Sequence, residues 1–282
     1  MVLESIINPI KAEENPRRLF LVGFLYATIG LFLGYWVFAD QASLVMVFLT
    51  VFACIPLLYK TMKVEEEKDL KIKNEGMILK EHSKALSFLI LLFFGMVIAF
   101  SLWYTLLPAS TANSMFRVQT QMITSLNQHV TGHVTNLTLF SRIFMNNLKV
   151  LIFCILFSFI YGAGAIFILT WNASVIGAAI GNFVRTNISG YAAQLGLGNL
   201  SSYFYAASMG LLRYSIHGTP EILAYFVAGL AGGIISVAVM RHNFSTKAFE
   251  RILLDSSDLI MIAVFLLFVA GLLEVYITPL FF

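Results

Sequence analysis

Residues 215–223 read SIHGTPEIL. They interrupt a long run of mostly apolar residues with a histidine, a glycine, a proline and a glutamate. The fold turns on whether this stretch is a turn between two helices or part of one. Local chemistry favours a turn. Gly218 suits the left-handed position that ends a helix. Thr219 is a good N-cap, Pro220 suits the first helical position, and Glu221 in the first turn complements the helix dipole. The stretch therefore predicts a tight helical hairpin, with Gly218 and Pro220 as punctuation. His217 and Glu221 are not needed for a turn, and the hairpin would bring them close together.

Working outward, the chain has 282 residues, 59% hydrophobic and 12% charged. A soluble domain carries about a quarter charged residues, so the chain reads as a single polytopic membrane domain, all-α. A span needs about 20 apolar residues. Candidate spans lie at 19–39, 42–59, 86–107, 148–170, 220–240 and 257–278. The region 171–217, richer in Gly, Ser and Asn, reads as a further crossing with a broken or re-entrant start and a helix near 200–217. That gives about seven crossings. The first apolar run is too long for a signal-peptide core and reads as a retained span. Cys54 and Cys154 fall inside apolar runs, which argues against a disulfide framework.

Lys and Arg set orientation in membranes. In this arrangement residues 1–18, the 60–85 loop, Arg185 and the 241–255 loop hold 14 of the 18 basic residues on one side. The expectation is a cell-membrane protein with a cytoplasmic N-terminus and an external C-terminus. The 60–85 segment, with Glu67–Lys71 and Asp69–Lys73 spaced i,i+4, reads as a cytoplasmic charged helical hairpin and a docking surface for a membrane or cytoplasmic protein partner. The external segment 108–147 places Met115, Met122, Ile123 and Leu126 near helical spacing, as an amphipathic helix on the membrane or capping the bundle. Asn136-Leu-Thr138 within it is a glycosylation sequon.

Small residues recur as Gly30–Gly34, Gly177–Gly181 and Gly229–Gly233, with Gly162 adding to them. Such pairs let helix backbones approach closely. Packing within the chain is one use; a homodimer seam on the first span is the other. Polar groups in a membrane are costly and need a role. Asn147, Asn172, Arg213, His217 and Glu221 form the candidate buried polar cluster. Asn172, followed by Gly177 and Gly181, reads as a helix cap at a break that lines an interior. Glu274 lies near the end of the last span and is taken to reach the interface.

One His and one Glu do not make a metal site, which needs three or four ligands. His129 and His133 are spaced i,i+4, but no acidic residue accompanies them and Gly132 weakens the helix. No paired catalytic carboxylates, nucleophile elbow or metal motif is present, so no catalytic site, metal, cofactor or enzymatic activity is expected. The basic residues flank spans, which argues against nucleic-acid binding.

The order FMNNLKVLI (144–152), YGAGA (161–165), LTWNASVIGAAIG (169–181) and SIHGTPEILAYFVAGLAGG (215–233) resembles the stage II sporulation protein M family over roughly 140–240. Asn147, Gly162, Asn172, Gly177, His217, Gly218 and Glu221 carry the resemblance. It implies a non-enzymatic integral membrane protein. In endospore formers such proteins anchor peptidoglycan-degrading partners at the membrane, although the family also occurs in organisms that never sporulate. A scaffold or membrane-remodelling role is the expectation from the resemblance. A small-solute or ion transporter or channel built around His217 and Glu221 is the expectation from the buried polar residues.

Overall fold

The computed structural model describes residues 17–72, 75–128, 135–161, 165–195, 199–241 and 246–280. The described residues are helical, with no strand among them. The helices are α1 (Arg17–Val37), α2 (Ala42–Lys71), α3 (Glu75–Leu106), α4 (Ala109–Met115), α5 (Arg117–Gln128), α6 (Asn136–Tyr161), α7 (Ala165–Leu195), α8 (Asn199–Arg241) and α9 (Lys247–Leu272). A π turn over Leu273–Ile277 and a 3-10 turn over Thr278–Leu280 follow α9. All but α4 and α5 are long and apolar enough to cross a membrane, giving seven spans.

The bundle is arranged around α8. Its span is 89% buried within the protein, against 28% for α1, 17% for α6 and 28% for α9. It packs mainly on α9, α7 and α6, and also touches α2 and α3. Its sequence explains this place: Ala224, Ala228, Ala231, Ala238 and the glycines between them give a narrow cylinder that neighbours can surround. The outward faces of α1, α6 and α9 carry exposed Leu25, Phe153 and Phe265, which suits hydrocarbon.

Two predicted interruptions are absent. The helix α8 runs through 215–223 without a turn, and Pro220 lies inside it. Gly218 and Pro220 are thus not helix punctuation. A break here would expose backbone polar groups inside the bundle, whereas a proline in a membrane helix is tolerated when its surroundings compensate. Likewise α7 is continuous across 171–181, so the re-entrant start does not exist. Asn172 donates from Nδ2 to the Ile168 carbonyl of its own helix at 2.8 Å rather than capping a break. The fourth span also begins earlier than 148. Thr135 caps α6, its hydroxyl accepting from the Thr138 amide at 3.3 Å, so the last part of segment 108–147 is membrane helix.

Glycines set the close contacts. A Cβ on Gly23 would lie 2.0 Å from the Leu92 carbonyl oxygen, and one on Gly95 would lie 2.0 Å from that of Phe20, so α1 and α3 meet backbone to backbone. Gly30 and Gly34 abut Met46 on α2, Gly177 and Gly181 abut Phe100 and Tyr104 on α3, and Gly229 abuts Ala165 on α7. Gly233 is buried on α8, and Gly162 lies outside the described residues. The Gly30–Gly34 pair is therefore used in packing within the chain.

The two ends of the bundle differ in charge. Arg251 on α9 donates to the Ile72 carbonyl beside the tip of α2, which puts loops 60–85 and 241–255 at one basic end. Arg185 sits at the opposite end, correcting its placement with the basic loops. It donates to the Thr105 and Leu107 carbonyls and lies 5.3 Å from the Tyr104 ring. Nearby, α4 and α5 tuck into the bundle. Phe116 is fully buried against Phe100 and Tyr104, and Gln119 Nε2 donates to the Ser43 carbonyl and Ser174 Oγ at 2.9 and 3.1 Å. His129 and His133 lie outside the described residues. Cys54 and Cys154 are free and buried.

Candidate functional site

Because α8 is unbroken, residues four apart share one face. His217, Glu221 and Tyr225 form such a ladder, aimed at the seam where α8 meets α6 and α9. Tyr225 is 1% exposed, and its hydroxyl donates to Glu221 Oε1 at 2.9 Å. Asn147 on α6 is 8% exposed, and its side chain lies near the same carboxylate. Below this point Ser158 Oγ donates to the Cys154 carbonyl at 2.7 Å and to the Gly229 carbonyl at 3.2 Å, pinning α6 to α8.

The third wall is the end of α9. There the helix widens to a π turn at Leu273–Ile277, a distortion that often marks functional sites. The π turn carries Glu274, which is close enough to interact electrostatically with Glu221. Thr278 follows, donating from Oγ1 to the Leu273 carbonyl at 3.1 Å. His217 Nδ1 is 3.2 Å from that same Thr278 oxygen. Which of the two donates is set by the tautomer of His217.

The arrangement is two carboxylates near each other at one seam, with a phenol donating to one of them and an amide close by. Two like charges in a low-dielectric interior repel strongly, and a proton or a cation between them removes the repulsion. The Tyr225 hydroxyl, donating to Glu221, holds its carboxylate in one orientation, with the Asn147 amide beside it. Among the described residues no group of three His, Cys, Asp or Glu converges on a metal site.

Of the residues singled out in the sequence, the structure brings Asn147, His217 and Glu221 to one seam. Asn172 is occupied on its own helix instead. Arg213 is one turn before His217 on α8, but its side chain lies outside the described residues. Tyr225 and Thr278 were missed, and Glu274, read as reaching the interface, stands close to Glu221 instead. Tyr225 had a signal, its i,i+4 spacing from Glu221, but that spacing has meaning only on an unbroken helix.

No curated protein and no solved structure matches this chain. The family model for stage II sporulation protein M matches residues 85–279, well over half of the chain and including Asn147, His217, Glu221, Tyr225 and Glu274. This integral membrane protein belongs to the stage II sporulation protein M family.

Proposed function

We propose that the protein is an ion or small-solute transporter whose working site is the Glu221–Glu274 pair. The observation that carries this reading is the pair itself: two carboxylates near each other where α8 meets the end of α9, one of them accepting from the Tyr225 hydroxyl with Asn147 beside it. Ionisable groups within spans are expensive and commonly mark ion or proton pathways. A proton or monovalent cation is the smallest ligand that relieves the repulsion in such a pair, and His217 beside Thr278 extends the polar line toward the end of α9. Purified protein in vesicles with an internal pH dye and imposed pH or cation gradients tests it. Wild type should dissipate the gradient faster than empty vesicles, and Glu221→Gln or Glu274→Gln should abolish the difference. These substitutions keep shape and remove charge. Equal flux in wild type and both variants would end this assignment.

A scaffold role has its own support. A helix rises about 1.5 Å per residue and the hydrocarbon layer is about 30 Å thick, so α2 and α3 are longer than a crossing requires. Their tips project at the basic end as an ion-paired hairpin: Lys68 contacts Glu65 at 2.6 Å, and Lys84 contacts Glu81 at 2.5 Å. In this reading the hairpin receives a cytoplasmic protein. Replacing residues 64–80 by a short Gly-Ser linker should abolish recovery of that partner from cross-linked native membranes. Unchanged recovery would remove the hairpin from consideration.

A further inference from the structure

Next to the face that carries the carboxylates, α8 borders a second open space. Between α3, α7 and α8 lies a cavity of about 140 Å³, open on one side. Its walls are Phe93 and Val97 from α3, Ile176 and Ile180 from α7, and Gly218 and Ile222 from α8. Tyr214, Ser215 and Thr219 supply its hydroxyl groups. Leu211 at its rim is exposed, and Phe94 and Leu223 are half-buried.

Gly218 makes this space. A helical glycine costs up to about 1 kcal/mol relative to alanine, and a close helix contact is the usual return. Gly23, Gly95, Gly177 and Gly229 each have that contact. A Cβ on Gly218 would meet nothing within 4 Å. The residue therefore serves the opening and not a neighbouring helix.

We propose that this groove holds one acyl chain of a phospholipid from the surrounding bilayer. An apolar cavity stays dry, and an empty one forfeits dispersion contacts along its lining. The groove opens between membrane spans, and its rim is hydrocarbon side chains. The material at its mouth is lipid tail, and a tail that enters restores those contacts. Tyr214 and Ser215 lie toward the start of the α8 span, where they can meet the ester region of the same lipid. This assignment is independent of the ion-binding reading, because neither Glu221 nor Glu274 lines the groove.

Photo-crosslinking tests it. The full protein is reconstituted in phosphatidylcholine vesicles doped with a phospholipid bearing a diazirine in its acyl chain, irradiated, digested and mapped by mass spectrometry. Adducts should concentrate on the walls of α3, α7 and α8, above the level on the outward face of α1 at Leu21, Leu25 and Ile29. Gly218→Phe fills the groove and should abolish the excess with little change in Tm. If that variant unfolds, Ile176→Trp fills it from the facing wall and is scored in the same way. Adducts spread evenly over α1, α9 and the groove, or a groove signal that survives filling, would mean boundary lipid only and overturn the proposal.

Discussion

At the scale of the residue, Pro220 is the most instructive. It carries no amide hydrogen, so the Ile216 carbonyl has no donor one turn on, and the ring crowds that carbonyl. In a turn reading, Pro220 at a first helical position would be stabilising, and its replacement would cost stability. In the continuous helix, Pro220→Ala restores the missing hydrogen bond. A proline in a helix interior is unfavourable by about 3 kcal/mol against alanine, with part of that offset by relaxation of the bundle. Thermal unfolding in detergent should therefore show a Tm for Pro220→Ala that is unchanged or raised; a clear fall would contradict the unbroken helix. Ion flux should fall in the same variant if the proline sets the spacing of His217 from Glu221. The same residue explains what the sequence hid. Asn147, His217 and Glu221 were legible because polar groups in apolar runs carry a cost that demands a partner. Tyr225 was not, because a turn at 218–220 breaks the four-residue ladder that leads to it. Glu274 and Thr278 depend on the π turn, whose geometry no local pattern announces.

At the scale of the element, the seven spans and the all-helical class follow from hydropathy and length, and the misreadings share one cause. A glycine signals either a break or a close contact, and the choice rests with a partner that the local sequence does not contain. On α7, Gly177 and Gly181 suggested a break, but bulky Phe100 and Tyr104 on α3 need flat surfaces to lie against. On α8, Gly218 and Pro220 suggested a stop, but α8 is enclosed by five other helices, and continuing the backbone hydrogen bonds costs less than exposing them there. Charge patterns mislead similarly. The 60–85 segment reads as a solvated hairpin, with Glu67 and Lys71 in fact 4.0 Å apart. Yet Glu65 is 0% exposed and His82 2%, their side chains 2.7 Å apart, because α2 and α3 face each other above the bundle and turn one stripe inward. Sequence shows which residues are charged; only the pairing of helices decides which of them leave water.

At the scale of the whole molecule, charge asymmetry is the global signal, and the structure sharpens it. Moving Arg185 to the end that holds α4 and α5 leaves the basic loops 60–85 and 241–255 together at the other end, joined by Arg251 and Ile72. Arg185 is not a loose charge where it now stands, since the last carbonyls of α3 and the Tyr104 ring engage it, as cations do at helix C-termini. Positive residues in loops near span ends are retained in the cytoplasm during insertion, so the basic end should face inward and α4 and α5 outward. The native thiols do not interfere with a test, because Cys54 and Cys154 are both fully buried. Gln121→Cys on α5 and Lys71→Cys on α2 place single accessible thiols at opposite ends, where both native side chains are exposed. A membrane-impermeant maleimide applied to intact cells should label Gln121→Cys, and should label Lys71→Cys only after permeabilisation. The reverse pattern would invert the molecule. Since α9 begins beside Ile72 and its π turn lies at the far end of that helix, the same inversion would also turn the Glu221–Glu274 seam from the outer half of the membrane to the inner half.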